Sequence, residues 1–291
     1  MRNLDLDSLQ IFKAVVDSGG VTKAAAQLNR VQSNITTRVR NLEDRLGVKL
    51  LERQGAKMAV TAEGRLLLGY AERLLRLACE AESSMRSKTP RGTLRIGALE
   101  STAAARLPPL LSNFHERYPD VQIELITGTS SSLISRVQRF DVEAAFVSEP
   151  FHAADLDTQV AFPEELMLIA PRGAGSIQVP EQLQGCTVVA FSTGCSYRRI
   201  LEDWLAASGI VPSRVLELAS YHAIVACVAA GSGIAIMPRT VLQAVRAESL
   251  VQALPLPARL ARVRTHLVWR RGHQSVTVDA LRKELRTKQT R

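Results

Sequence analysis

The chain has 291 residues, a length that suggests about two domains, and 46% hydrophobic with 22% charged residues excludes a disordered tail. Only 4% aromatic residues argues against a stacking surface for single-stranded nucleic acid, and four cysteines without a CxxC pair argue against a disulfide framework or a zinc ribbon. No apolar run approaches the roughly 18 residues of a membrane span, and acids stand where a secretion signal would be apolar, so a cytoplasmic protein with no membrane partner is expected.

The net charge of +9 is unevenly spread. Residues 1–89 carry 15 basic against 10 acidic side chains, residues 90–267 carry 15 against 16, and residues 268–291 carry 7 against 2. A basic module for a polyanion beside a neutral module for something else fits that pattern. The basic tail, with Arg270, Arg271, Arg282, Lys283, Arg286, Lys288 and Arg291, reads as a solvated helix face.

From the N-terminus, Leu6, Leu9, Phe12, Val15 and Val16 have helical spacing, and Gly19-Gly20 ends that helix. Thr22 is expected to cap a short helix, Lys23 to Leu28. A third helix is expected from Gln32 to Leu46, closed by Gly47, with Ile35, Val39, Leu42 and Leu46 facing inward. Its outer face would present Gln32, Ser33, Asn34, Thr36, Thr37, Arg38 and Arg40. Amides suit adenine edges, arginines suit guanine or phosphate, and threonine methyls suit thymine. This is helix-turn-helix patterning, with the second helix aimed at a major groove.

Residues 48–60 read as two short strands around a basic turn, a wing that lays Arg53 and Lys57 along phosphates. Thr61 is placed to cap a long helix reaching Ser87. Leu67, Leu74 and Ala81 fall seven apart, as do Ala71, Ala78 and Met85, the spacing of a short dimerisation seam. Ser87-Lys88-Thr89-Pro90-Arg91-Gly92 then marks a linker.

These residues resemble a known family. Leu9-Gln10-Ile11-Phe12, Gly20-Val21-Thr22-Lys23-Ala24-Ala25, Gln27-Leu28, Gln32-Ser33, Leu42-Glu43, Leu46-Gly47-Val48-Lys49-Leu50, Glu52-Arg53 and Thr61-Ala62-Glu63-Gly64 are similar, in order and spacing, to LysR-type transcriptional regulators. Leu94-Arg95-Ile96-Gly97 and Gly231-Ser232-Gly233-Ile234-Ala235-Ile236-Met237-Pro238 extend the resemblance into the second half. Gly20, Thr36 and Leu51 depart from the family pattern of a large residue, Ser and Phe, while Asn34 and Thr37 bear on which operator is read.

Beyond the linker, strands are expected at 93–98, 121–127, 142–147, 165–170, 187–191, 215–218, 234–237 and 263–268. Helices are expected at 106–118, 133–140, 196–208, 221–230 and 276–286. That alternation implies a mainly parallel α/β sheet. The expected organisation is an N-terminal all-α winged helix-turn-helix (1–60), a dimerisation helix (61–89) and a two-lobed α/β effector domain (90–291). The resemblance implies a periplasmic-binding-protein-like fold for the last. Its lobe 1 would hold about 90–162 and 268–291, and lobe 2 about 163–267.

Small polar clusters follow three strand ends: Ser101-Thr102, residues 128–132 with Thr129 and Ser130, and Ser192, Gly194, Cys195 and Ser196. Hydroxyls and free N–H groups at such ends favour a small anion such as a carboxylate. With Phe146 and His222 these are the candidate effector contacts. Positions near 101, 129 and 195 also resemble the family's effector loops.

The five histidines show no metal-ligand spacing, and no catalytic or nucleotide fingerprint is present, so no metal, cofactor or enzymatic activity is expected. The resulting expectation is a regulator of double-stranded operator DNA switched by an effector. The resemblance implies a homotetramer, with RNA polymerase a further partner. Two rivals are a transporter's solute-binding protein and a thiol sensor using Cys195 beside Arg198 and Arg199.

Overall fold

The computed structural model describes residues 4–54, 57–86, 89–175, 177 and 179–289, and forms two compact units, Met1–Lys88 and Thr89–Arg291. In the first unit, α1 (Leu6–Ser18), α2 (Val21–Gln27) and α3 (Gln32–Leu46) precede a two-stranded antiparallel hairpin, β1 (Leu51–Gln54) and β2 (Lys57–Val60). α4 (Ala62–Arg86) closes it. Asp5 caps α1 by accepting the Ser8 amide at 2.7 Å, and Gly19 ends it at φ 71°. Gly20, not Thr22, stands at the start of α2, because the helix begins one residue before Thr22. Gly47 ends α3 as expected, but Leu46 is exposed and Glu43 is buried in its place.

Two apolar clusters hold this unit. One joins Ile11 and Val15 of α1 to Ala24 and Ala25 of α2 and Ile35 and Val39 of α3. The other joins Leu9 and Phe12 to Leu42, Leu50, Leu67 and Ala71. Thr61 caps α4 through its bond from the Gly64 amide at 2.9 Å. Gly64 has a steric reason to be glycine: a Cβ there would lie 2.2 Å from the Leu50 carbonyl oxygen.

The second unit begins with β3 (Gly92–Ala98), α5 (Glu100–Ala105), α6 (Leu107–Arg117), β4 (Val121–Thr127), α7 (Ser130–Gln138) and β5 (Ala144–Ser148). β6 (Leu156–Ala170) is a single 15-residue strand. After it come β7 (Thr187–Ala190), α8 (Ser196–Ala207), β8 (Arg214–Glu217), α9 (Tyr221–Ala229), β9 (Ala235–Pro238) and α10 (Arg239–Ala244). The chain finishes with β10 (Gln252–Pro255), α11 (Ala258–Ala261), β11 (Arg262–Arg270) and α12 (Val276–Gln289).

β4, β3 and β5 run parallel, but β11 pairs antiparallel with both β5 and β6. The C-terminal part of β6 pairs antiparallel with β9 and β10, and β7 pairs parallel with β8. The sheets are therefore mixed, not mainly parallel. Strand–helix alternation reports crossovers, and it is blind to β6 and β11 running as long antiparallel partners. β6 carries the chain from one lobe to the other, and Pro163 lies inside it. This is a C-terminal α/β domain of two lobes, as expected.

Candidate functional site

α3 buries Ile35, Val39 and Leu42 completely or nearly so, which fixes its roll against α1 and α2. The opposite face is solvent-facing: Gln32, Ser33, Asn34, Thr36, Thr37, Arg38 and Arg40 are all exposed. Asp7 of α1 sits between two cations of this region. It takes Arg30 through two bonds at 2.7 and 3.0 Å and lies 3.7 Å from Arg38. The bonds to Asp7 raise the already high pKa of Arg30. Arg53 and Lys57 occupy paired strands of the hairpin, in register with Met58 and Gln54. Their side chains, the turn residues Gly55 and Ala56, and the expectation that this wing lies along phosphates fall outside the described residues. So do Arg291 and the Lys288 side chain of the basic tail.

The expected seam on α4 is corrected by its packing. Leu67 is 9% exposed and Ala71 fully buried, both against α1 and α3 of their own unit. Ala78 is half-buried, while Leu74, Ala81 and Met85 are exposed. A stripe of Leu66, Tyr70, Leu74, Leu77, Ala81 and Met85, which keeps Leu74, Ala81 and Met85 of the expected seam, leaves its apolar side chains uncovered in the single chain. Spacing alone does not distinguish the inward face of a helix from its outward one when both are apolar.

In the second unit a narrow cleft opens between the lobes. Leu99, Glu100, Gly128 and Thr129 line it from one side, and Phe191, Cys195, Ser196, Tyr197 and Tyr221 from the other. Three expected contacts, Thr129, Cys195 and Ser196, are among these residues. Thr129 caps α7 by accepting the Ser132 amide at 3.3 Å. Ser196 spans the lobes: its hydroxyl donates to the Ser148 carbonyl at 2.8 Å and lies 2.9 Å from Ser130 Oγ. Ser130 is thus a buried partner of that link, not a lining residue. Gly194 packs closely on the lobe opposite, since a Cβ there would lie 3.0 Å from Thr129 Oγ1.

The remaining expectations do not line the cleft. Ser101 and Thr102 are buried on α5, and Ser192 and His222 are exposed outside it. Phe146 is fully buried in the lobe 1 core, stacked 5.9 Å from Phe162, because every position of β5 is buried. Sequence reasoning missed Glu100, Phe191, Tyr197 and Tyr221 as lining residues. Glu100 flanks the first polar cluster and Phe191 and Tyr197 flank the third, but large and charged residues there read as packing, and Tyr221 lies beside none of them.

Burial governs the electrostatics. It pushes the Cys195 thiol up despite the Arg198 and Tyr197 amides and the Arg198 charge, the reverse of what a sensing thiol needs. It also pushes Tyr197 up to about 12 and raises Tyr221 well above its ordinary value. Glu100 is raised by burial, partly opposed by the Tyr221 amide and by His222. Among the described residues no helix is long and apolar enough to cross a membrane, and no cluster of His, Cys, Asp or Glu could hold a metal ion.

Known proteins share both halves. Residues 6–65 match the family described as bacterial regulatory helix-turn-helix protein, lysR family, and residues 87–290 match the LysR substrate binding domain. HTH-type transcriptional regulator YusT of Bacillus subtilis, itself uncharacterized, is 38% identical over 92% of this chain and 90% of its own. HTH-type transcriptional regulator GltR of the same organism is 33% identical, over 92% of this chain and 91% of its own. The solved structure of full-length CbnR complexed with its target DNA has the same fold, with a TM-score of 0.69 and 23% identity over 98% of this chain and 99% of that one. The chain belongs to the LysR family: it is a helix-turn-helix DNA-binding transcriptional regulator with an effector-binding domain.

Proposed function

We propose that α3 reads operator DNA through Gln32, Ser33, Asn34, Thr36, Thr37 and Arg40, with Arg38, Arg53 and Lys57 on phosphates. The observation that carries this is the division of α3 into a buried apolar face and an exposed polar, basic one. Two chains pair through the exposed stripe of α4, which sets two reading helices on one duplex. Residues 1–60 read, 61–89 pair and 90–291 sense. The assembly is a homotetramer in the cytoplasm that contacts RNA polymerase, and it has no catalytic role.

The effector occupies the cleft between the lobes. The starts of α7 and α8 both reach the cleft at Thr129 and Ser196, and the positive ends of the two helices favour a carboxylate. A regulator of this kind switches when its effector binds one arrangement more tightly than another.

Selection of genomic fragments by the purified protein, at about 0.15 M salt because affinity depends on it, tests the reading role. A shared pseudo-palindromic site is the expected result. Equal recovery of all fragments, with and without cell extract as a source of effector, overturns it.

A further inference from the structure

The cleft contains a carboxylate that the protein satisfies only in part. Glu100 opens α5, an ordinary place for an acid at a helix start, yet its Oε2 is buried and has no hydrogen-bond partner. Tyr197, wholly buried on the opposite wall, turns its hydroxyl toward Ser101 and Ser148 instead. A buried carboxylate oxygen without a partner marks the place of a missing one.

The chemistry of that partner follows from the lining. A carboxylate only accepts, so the partner is a donor. No lysine or arginine lines the cleft, and Arg198 at its edge is engaged by Glu202 at 2.7 Å and Glu217 at 2.6 Å. Phe191, Tyr197 and Tyr221 line the same small space, and the Phe191 and Tyr221 rings meet edge to face at 4.7 Å. Aromatic walls around a carboxylate attract a cation by ring quadrupole as well as by charge.

We propose that the effector carries a protonated amino group, received by Glu100 among the rings of Phe191, Tyr197 and Tyr221. This rests on the cleft being the effector site. Burial raises Glu100 against the opposing Tyr221 amide and His222, and an ammonium in contact offsets that cost further. With a carboxylate toward α7 and α8, the ligand is zwitterionic, of the amino-acid class.

Thermal unfolding of the full chain tests this. The probes are α-amino acids and primary, secondary and quaternary alkylamines, each beside the same skeleton with a hydroxyl in place of the amine. Wild type, Glu100→Gln and Thr129→Trp, which fills the cleft, are compared. At least one amine raises the wild-type Tm, its hydroxyl twin does not, and both variants weaken the response roughly tenfold or more. If hydroxyl compounds act as well as amines, or Glu100→Gln keeps the amine response that Thr129→Trp loses, the amino group is wrong and the cleft stands. If no compound shifts the wild type, or shifts survive both substitutions, the cleft reading fails and the proposal with it.

Discussion

The Glu43 carboxylate, late in the reading helix, accepts the Leu50 backbone amide at 2.9 Å. The same oxygen takes the Leu51 amide at 3.2 Å, and Lys49 Nζ holds the other oxygen at 2.7 Å. One buried acid thus fixes where the hairpin leaves α3. Glu43→Ala should lower the stability of the N-terminal unit by about 2–4 kcal/mol, since two amides lose a buried charged acceptor. Glu43→Gln keeps one acceptor and should cost less. Urea unfolding of the two variants orders them; equal losses would show that the hydrogen bonds are not the cause.

Asp5 gives a pH signature. The Ser8 amide, with the Ser8 hydroxyl and Arg45, outweighs burial and lowers its pKa from 3.8 to about 2. A depressed folded pKa means the contribution is full above 3.8 and fades as pH falls through about 2. Asp5→Ala should cost about 1 kcal/mol at neutral pH, as for other N-caps. The gap between the two stability curves should close in acid, and a constant gap down to pH 2 would contradict the capping role.

Gln32 stands exposed in the first turn of α3. Gln32→Ala should lower specific operator binding by ~1–3 kcal/mol and leave nonspecific binding nearly intact. Titrations of operator and scrambled duplexes at one salt concentration separate the two. Equal losses on both would assign Gln32 to the backbone, not to a base.

On α4 the two apolar faces predict opposite phenotypes. Leu67→Ala removes a core side chain and should cost about 2–4 kcal/mol of stability. Leu77→Asp lies on the exposed stripe and should leave the fold intact while dissociating the dimer. Calorimetry and analytical ultracentrifugation read the two effects, and a Leu77→Asp protein that stays paired would move the interface elsewhere.

Cys195 should be inert. Its thiol is buried and raised in pKa, whereas Cys79 is exposed on α4. A thiol reagent at neutral pH should label Cys79 quickly and Cys195 only on unfolding. Fast labelling of Cys195, or loss of effector response in Cys195→Ser, would restore the redox reading.

Periodicity made α1 and α3 legible almost residue by residue, because two amphipathic helices ended by Gly19 and Gly47 leave little choice of register. Glu43 was not legible: a charge at an inward position is found only when its partners, seven and eight residues on, are seen. In the second unit strand locations were readable and pairings were not, since β6 and β11 meet across about a hundred residues. The cleft was half legible. Hydroxyl clusters signalled the strand ends, while Glu100 and the two tyrosines carry no local pattern that separates a lining residue from a packed one.

That both lobes are sewn to the same strand has a mechanical consequence. From Leu156 to Glu165, β6 is laced to β11, and from Leu166 to Ala170 it is laced to β9 and β10. Prising the lobes apart means flexing a beam under load from both ends, so the restoring force grows with every degree of opening. The compliant point is where the ladder slips between Thr265 and His266, opposite Phe162 and Val160, with Pro163 beside it. A ligand that binds between the lobes should therefore register as a small twist along β6 and not as a wide opening.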